Sequence, residues 1–348
     1  MTKAKNGFDL LRILLAAMVV LEHSLLIGGY DLKDPLYVFS KGQINFADLG
    51  VMVFFALSGY LITASFERSG NVFIFASHRL LRIFPGFWVC LIVAAFLISP
   101  LIFISTGRSW SAFDFFGPGG ALNFIKQNFF LKINQWSIKS LLDHAAYQES
   151  LNGSLWSLFP EMQCYCFTLS AGLFGLFKRN KFLYLLISMI VFAYFAINVN
   201  FSKSFGPTLL TLSPALKLYA SYLAGSVIYL FRDFVTPDKK GTLFLLLFTL
   251  ILIRFGGFNL VSPFLIALVL INLFQLFEFK IKYDVSYGMY IYSFPIQQLL
   301  FHIFGNKLHV LAFISMALFF SAIAGFLSYI WIERPFMNLR NKTDQLLK

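Results

Sequence analysis

The sequence predicts an all-α, polytopic integral membrane protein, a bundle of about ten transmembrane helices, and three observations predict it. Of its 348 residues 58% are hydrophobic and only 13% charged, against roughly a quarter charged in an ordinary soluble domain, and the mean hydropathy is +0.74. Such a chain cannot cover itself with polar surface. Several separate apolar runs exceed the roughly 18 residues needed to cross the hydrocarbon layer. The net charge of +12 sits mainly in short stretches between those runs, which is the pattern of membrane topology rather than of a nucleic-acid-binding surface.

The runs fall in order near residues 8–28, 47–66, 83–105, 155–177, 182–199, 213–231, 242–256, 259–278, 286–304 and 309–332. Lys3 and Lys5 precede the first, as in a signal peptide, but Arg12, Glu22 and His23 lie inside it and no small-residue cleavage site follows. It is therefore expected to stay as a span. The run near 242–256 is short and is separated from its neighbour only by Arg254, Gly256, Gly257 and Asn259, so the two form either a tight hairpin or a re-entrant pair. The 45 Phe and 15 Tyr suit lipid-facing surfaces and interfacial belts.

An even number of spans puts both termini on one side. That side collects Arg68, Arg79, Arg82, Lys178, Arg179, Lys181, Arg232, Lys239, Lys240 and the basic C-terminal tail, so both termini are expected in the cytoplasm of a multi-pass protein. Neither an internal repeat nor an appended soluble domain is visible, and residues 1–348 read as one domain. The long connection near 108–153 is expected outside. Gly117, Pro118, Gly119 and Gly120 break it, and Leu122 to Ile133 then carries apolar residues with Lys126 and Lys132 at near-helical spacing. One or two amphipathic helices along the outer interface would fit, as a structural cap or as a lid over an acceptor site. Cys90, Cys164 and Cys166 match no zinc or disulfide framework and read as buried thiols, and no metal is expected.

Ionisable residues within the spans are expensive, each costing about 2.5 kcal/mol or more at mid-bilayer, and so are functional candidates. Arg12 and His23 are eleven residues apart, about three helical turns plus 20°, which puts them on one face with about 16 Å of rise between them. Arg12 alone would read as a snorkelling anchor and His23 alone as a satisfied core imidazole. Together they suit a phosphate-bearing donor near the cytoplasm and proton abstraction from a hydroxyl further out. Glu22 adjoins His23 but points about 100° away, so a carboxylate from another helix is the better orienting partner. Glu161, beside Pro160 and about as far from the outer face as His23, supplies one; its bland reading is a fixed hydrogen-bonding group at a kink. The loop from Glu67 to Phe84 presents Arg79 and Arg82, three apart, whose forks grip phosphates bidentately or else merely mark the inner side.

These residues come in an ordered set: Phe8-Asp9-Leu10-Leu11-Arg12 with His23; Phe54 to Ile62 (FFALSGYLI); Arg79-Leu80-Leu81-Arg82-Ile83-Phe84-Pro85; Leu155-Trp156-Ser157-Leu158 with Glu161; Ser286-Tyr287-Gly288-Met289-Tyr290-Ile291-Tyr292; and Glu333-Arg334-Pro335-Phe336. The set resembles the bacterial acyltransferase-3 family of integral membrane acyltransferases over nearly the whole chain. The resemblance implies about ten helices in the bacterial inner (cytoplasmic) membrane, a cytoplasmic acyl-CoA donor, usually acetyl-CoA, and an essential Arg12 and His23 pair. It also implies an acceptor among envelope glycans such as O-antigen, exopolysaccharide or a lipid-linked sugar. One departure stands out: many members carry His where this chain has Ser293, followed by Phe294 and Pro295. Ser293 can only hydrogen-bond there.

The mechanism expected on this basis docks the donor phosphates at Arg79, Arg82 and Arg12 and threads the pantetheine arm toward His23. Oriented by Glu161, His23 would act as general base on an acceptor hydroxyl, or would itself carry the acyl group. Ser58, Tyr60, Ser157, Tyr287 and Tyr292 would line the tunnel or stabilise the oxyanion. A glycan-lipid transporter or flippase is the rival reading, but such proteins show pseudo-repeated halves or paired broken helices, which this chain lacks. A non-catalytic partner in envelope glycan synthesis is a second rival. Oligomeric state is left open.

Overall fold

The computed structural model describes residues 7–205, 215–235, 238–277, 279 and 281–339. Among these residues the secondary structure is helical throughout, without strands: α1 (Phe8–Ile27), the short α2 (Pro35–Phe39), α3 (Phe46–Ser69), α4 (Val72–Val93), α5 (Ser99–Ser105), α6 (Ala121–Asn128), α7 (Leu158–Leu173), α8 (Lys181–Phe205), α9 (Ala215–Leu230), α10 (Lys239–Phe255), α11 (Phe258–Gln275), α12 (Ser286–Phe304) and α13 (Val310–Ser328). Six helical stretches are long and apolar enough to cross a membrane: Phe8–Ile27, Phe46–Ser69, Val72–Ser105, Lys181–Val199, Phe258–Gln275 and Val310–Leu339. Two of them are continuous only because π-helical turns, Ala94–Ile98 and Tyr329–Glu333, carry the backbone across a register change. Lys3, Lys5, the basic tail after 339, residues 213 and 214 of the sixth run and residue 278 of the eighth lie outside the described residues.

The chain divides into two compact units: one gathers the residues up to Leu15, 35–76 and 160–281, the other 16–34, 77–159 and those from 282 onward. In the first unit α3 and α9 cross with their backbones nearly touching. A Cβ on Gly59 would lie 1.9 Å from the Tyr222 carbonyl oxygen, and one on Gly225 would lie 1.8 Å from that of Ala56. Only glycine permits this approach, which lets Thr63 bond Ser226 (3.0 Å) and Ser226 bond the Gly59 carbonyl (3.2 Å). Gly59→Ala is therefore expected to force the helices apart and destabilise the protein by about 1–3 kcal/mol; a lowered thermal midpoint in detergent checks it, and an unchanged one counts against the crossing.

Helices α10 and α11 form a tight hairpin through Gly256 and Gly257, both at positive φ (126° and 88°). Gln43 plugs the turn, donating to the Leu252 and Ile253 carbonyls (3.1 and 2.7 Å) and accepting from the Phe258 amide (3.0 Å). The two runs are thus joined by a tight turn, a geometry that both expected alternatives share. Between α3 and α4 the expected loop from Glu67 to Phe84 shrinks to Gly70 and Asn71. Asn71 caps α4 by accepting from the amides of Phe73 and Ile74 (2.8 and 3.3 Å), so Arg79 and Arg82 ride on a helix instead. Pro160 makes no kink: a 3₁₀ turn, Gly153–Ser157, leads into α7, and Pro160 falls in its first turn, where a missing N–H costs nothing.

In the second unit α12 and α13 meet at Gly288 and Gly325, where a Cβ on Gly288 would be 2.7 Å from the Gly325 Cα. The 108–153 connection is an ordered cap with less helix than expected, α6 and a 3₁₀ turn at Trp110–Ala112. The helix stops at Asn128 because that side chain folds over the following turn, donating to the Gln135 carbonyl (2.8 Å) and accepting from the Asn134 amide (2.9 Å), with Leu131 at φ +69°. Cys90 and Cys164 are buried as expected, but Cys166 is exposed because it faces away from the packed side of α7.

Candidate active site

In the second unit His23 lies in the last turns of α1 with its ring edge-on to Phe294 of α12, centroids 4.9 Å apart. Its Nε2 is 3.7 Å from a Glu22 carboxylate oxygen, so the neighbouring acid reaches the imidazole although successive helical positions diverge; the flexible glutamate stem closes the gap. Nδ1 is buried with no hydrogen-bond partner among the described residues. An imidazole nitrogen left in that condition is costly unless something arrives to fill it. Phe294 is seated by Gly153, where a Cβ would meet its ring at 2.6 Å, and it also touches Tyr147 of the cap, centroids 5.7 Å apart.

Tyr147 in turn donates to Glu149 (3.1 Å). Burial first, and then the charges of Glu149 and Glu22, push its phenol up to about 12, so it stays a protonated donor at neutral pH. The segment around it is pinned to α12: the buried Gln298 donates to the carbonyls of Tyr147 and Ser150 (both 2.9 Å), and Asn152 to that of Ile291 (2.8 Å). Ser24, one residue after His23, is tied to α12 by Gln297, whose amide also reaches the Val20 carbonyl (2.8 and 2.7 Å). Together these bonds hold His23 and Tyr147 against Phe294. Ser293, at the position of the missing histidine, is spent on the Tyr290 carbonyl (3.1 Å).

A second constellation in this unit draws three of the quoted motifs together. Arg82 pairs with Asp284 (3.0 Å) and with the buried Glu333 (3.6 Å), and its guanidinium lies 5.9 Å from the centre of the Tyr287 ring. Asp284 accepts from Ser286 (2.5 Å), Glu333 from Ser328 (3.1 Å), and Tyr287 donates to the Ile83 carbonyl (2.8 Å). Tyr292 is buried in α12. Glu333 reaches the cluster from the π-turn inside the Val310–Leu339 stretch. Arg82 is thus already matched by two carboxylates, an arrangement that suits holding helices in register better than gripping a phosphate. Ser157 is hydrogen-bonded to Tyr290 (2.8 Å), which donates to the Ser154 carbonyl (2.9 Å).

Arg79 also rides on α4 in this second unit, and the first unit holds Arg12, Glu161, Ser58 and Tyr60. Arg12 pairs with Asp9 one turn earlier (3.1 Å). Glu161, in the first turn of α7 where a carboxylate is favoured, accepts from Tyr165 (2.5 Å), to which Ser58 donates (3.4 Å). Tyr60 accepts from Gln275 (2.8 Å) and packs edge-on against Phe8 and Tyr229. Asp284, Tyr147, Tyr165 and Phe294 had no role in the sequence reading. Asp284 had one visible signal, its place just ahead of the Ser286 motif.

Its long apolar helices, with an imidazole and a carboxylate inside one of them, define a helical membrane-embedded protein. Residues 5–332 match the acyltransferase-3 family, described as an acyltransferase domain, so the chain belongs to that family and is an acyltransferase. It is 28% identical over 343 residues to an O-acetyl transferase of Shigella phage Sf6, an alignment covering 95% of this chain and 96% of the relative. Over 85 residues it is 39% identical to nodulation protein 10 of Rhizobium leguminosarum bv. viciae, covering 24% and 23% of the two chains. No solved structure matches it.

Proposed function

We propose that the protein is an O-acetyltransferase of the bacterial inner membrane that moves an acetyl group from cytoplasmic acetyl-CoA to a hydroxyl of a surface glycan or lipid-linked sugar. The similarity along nearly the whole length to a phage O-acetyl transferase carries this reading. In it, about ten helices cross the bilayer, both termini face the cytoplasm and the 108–153 cap faces out.

His23 is the base in this reading: its open nitrogen takes the proton of the acceptor hydroxyl, the sugar oxygen attacks the thioester carbonyl, the C–S bond breaks, and the imidazolium returns the proton to the leaving thiolate. Glu22 stabilises the imidazolium, and Glu161 is kept as a second carboxylate of the reading. Tyr147 and Glu149 hold the acceptor's other hydroxyls. Arg79 and Arg12 take donor phosphates, while Arg82 positions α4 through its two carboxylates. Arg79→Ala is accordingly expected to raise the KM for acetyl-CoA several-fold with little change in kcat; steady-state kinetics at varied donor concentration check it.

The reading as a whole is tested by incubating the purified protein in nanodiscs with acetyl-labelled acetyl-CoA and envelope glycan from an acceptor strain. Label is expected to enter the glycan as an alkali-labile ester. Coenzyme A release without glycan labelling would replace the assigned reaction. A single cysteine at position 114 on a cysteine-free background is expected to react with an impermeant maleimide only from outside, and labelling only from the cytoplasm would invert the topology.

A further inference from the structure

The first unit contains a cavity of about 420 Å³ lined by Tyr60, Ile228, Arg232, Asp233, Val235, Asn272 and Gln275, within the range of about 300–1,000 Å³ that small-molecule sites occupy. It lies at the end of that unit where α1 begins: Gly7 donates to the Phe274 carbonyl (2.8 Å), and Phe8, one turn before Arg12, packs on Tyr60. The residues of the lining come from the middle of α3, the C-terminal end of α11 and the end of α9 with the residues that follow it.

Its polar groups are held in place. Arg232 donates one N–H to the Tyr229 carbonyl (2.8 Å) and stacks its guanidinium 4.3 Å from the Tyr229 ring centre, while Tyr229 is itself fixed by a bond to Glu67 (2.9 Å). A guanidinium has five N–H donors, so four remain after that bond. Tyr60 accepts from Gln275, which leaves its own O–H to donate. An arginine fork, a phenol and two amides facing one volume form a receptor for phosphate oxygens, with the phenol ring and Ile228 offering a face to a base. Asp233 at the rim repels a phosphate next to it but accepts from an amino or ribose hydroxyl group, which orients an elongated ligand.

We propose that this cavity binds the adenosine 3′-phosphate end of the acyl-CoA donor, with Arg232 and Tyr60 as contacts of that phosphate, in addition to the diphosphate contacts assigned above to Arg79 and Arg12. The assignment rests on the acyl-CoA reading of the reaction. An anionic lipid headgroup shares the same phosphate chemistry, so the two sources are separated by the probes used.

Coenzyme A and adenosine 3′,5′-bisphosphate are titrated calorimetrically into the full-length protein in nanodiscs of neutral lipid, using wild type, Arg232→Gln and Tyr60→Phe, each checked by its thermal melt. Both probes should bind wild type. Arg232→Gln should weaken both by about tenfold or more, the loss of a charge-assisted pair of hydrogen bonds, and Tyr60→Phe by a smaller factor. Equal affinity of wild type and both variants for coenzyme A would overturn the site while leaving the acyl-CoA reading intact. No binding of coenzyme A to wild type would overturn both. If Arg232→Gln instead loses co-purified phosphatidylglycerol and keeps its coenzyme A affinity, the cavity holds a lipid headgroup and the donor assignment falls.

Discussion

His23→Gln is expected to lower acyl transfer by about 10²- to 10⁴-fold while leaving the fold and the affinity for the donor nearly unchanged. Glutamine keeps the polarity and most of the volume of the imidazole, so the edge-on contact to Phe294 and the packing of α1 against α12 survive. What it cannot do is take up and return a proton. If the histidine instead carries the acyl group, the loss is larger still, and a trapped acyl-protein at His23 in wild type, absent in the variant, identifies that route. Initial-rate assays on protein with a wild-type melting profile decide the matter. Turnover near wild type would make His23 a packing residue and move the search for the base to Glu161.

Arg82→Ala is expected to destabilise the protein by about 3–5 kcal/mol, because it strands Asp284 and Glu333 without their shared cation. Removing one partner of a buried pair costs more than the pair contributes, since the survivors keep their desolvation penalty. The double variant Arg82→Met with Glu333→Gln should therefore be less damaged than Arg82→Ala alone, a coupling that a double-mutant cycle measures. Thermal melting in detergent provides the readout. If Arg82→Ala melts with wild type but binds donor poorly, the phosphate-gripping role expected of it from sequence is restored.

The helices were legible because crossing hydrocarbon leaves long apolar runs, and all ten runs begin or end within a few residues of observed helices. The α10–α11 hairpin was half legible: Gly256 and Gly257 marked a break, but the choice of a tight turn depended on Gln43, distant in sequence, filling it. The reach of α4 back to Val72 was missed because Asn71 as a cap and two charged residues within a helix read locally as a loop. The partners of Arg82 were illegible for a different reason. They lie some two hundred and more residues away, and nothing local to Asp284 or Glu333 announces that α12 and α13, meeting glycine to glycine, bring both to one guanidinium.

By itself the sequence determined the solvent, the helical class and the family, and it nominated candidate groups for chemistry within the membrane. Each of these follows from residue type and spacing along one segment: apolar length sets the spans, and the cost of burying charge singles out Arg12, His23 and Glu161. Tertiary packing alone decided which of those groups are already engaged. Arg82 meets two acids, Ser157 and Ser293 are spent on neighbours, and one nitrogen of His23 is left open. A side chain's chemistry is intrinsic to its residue type, but whether its hydrogen-bonding capacity is used depends on groups that only the fold brings within about 3 Å of it.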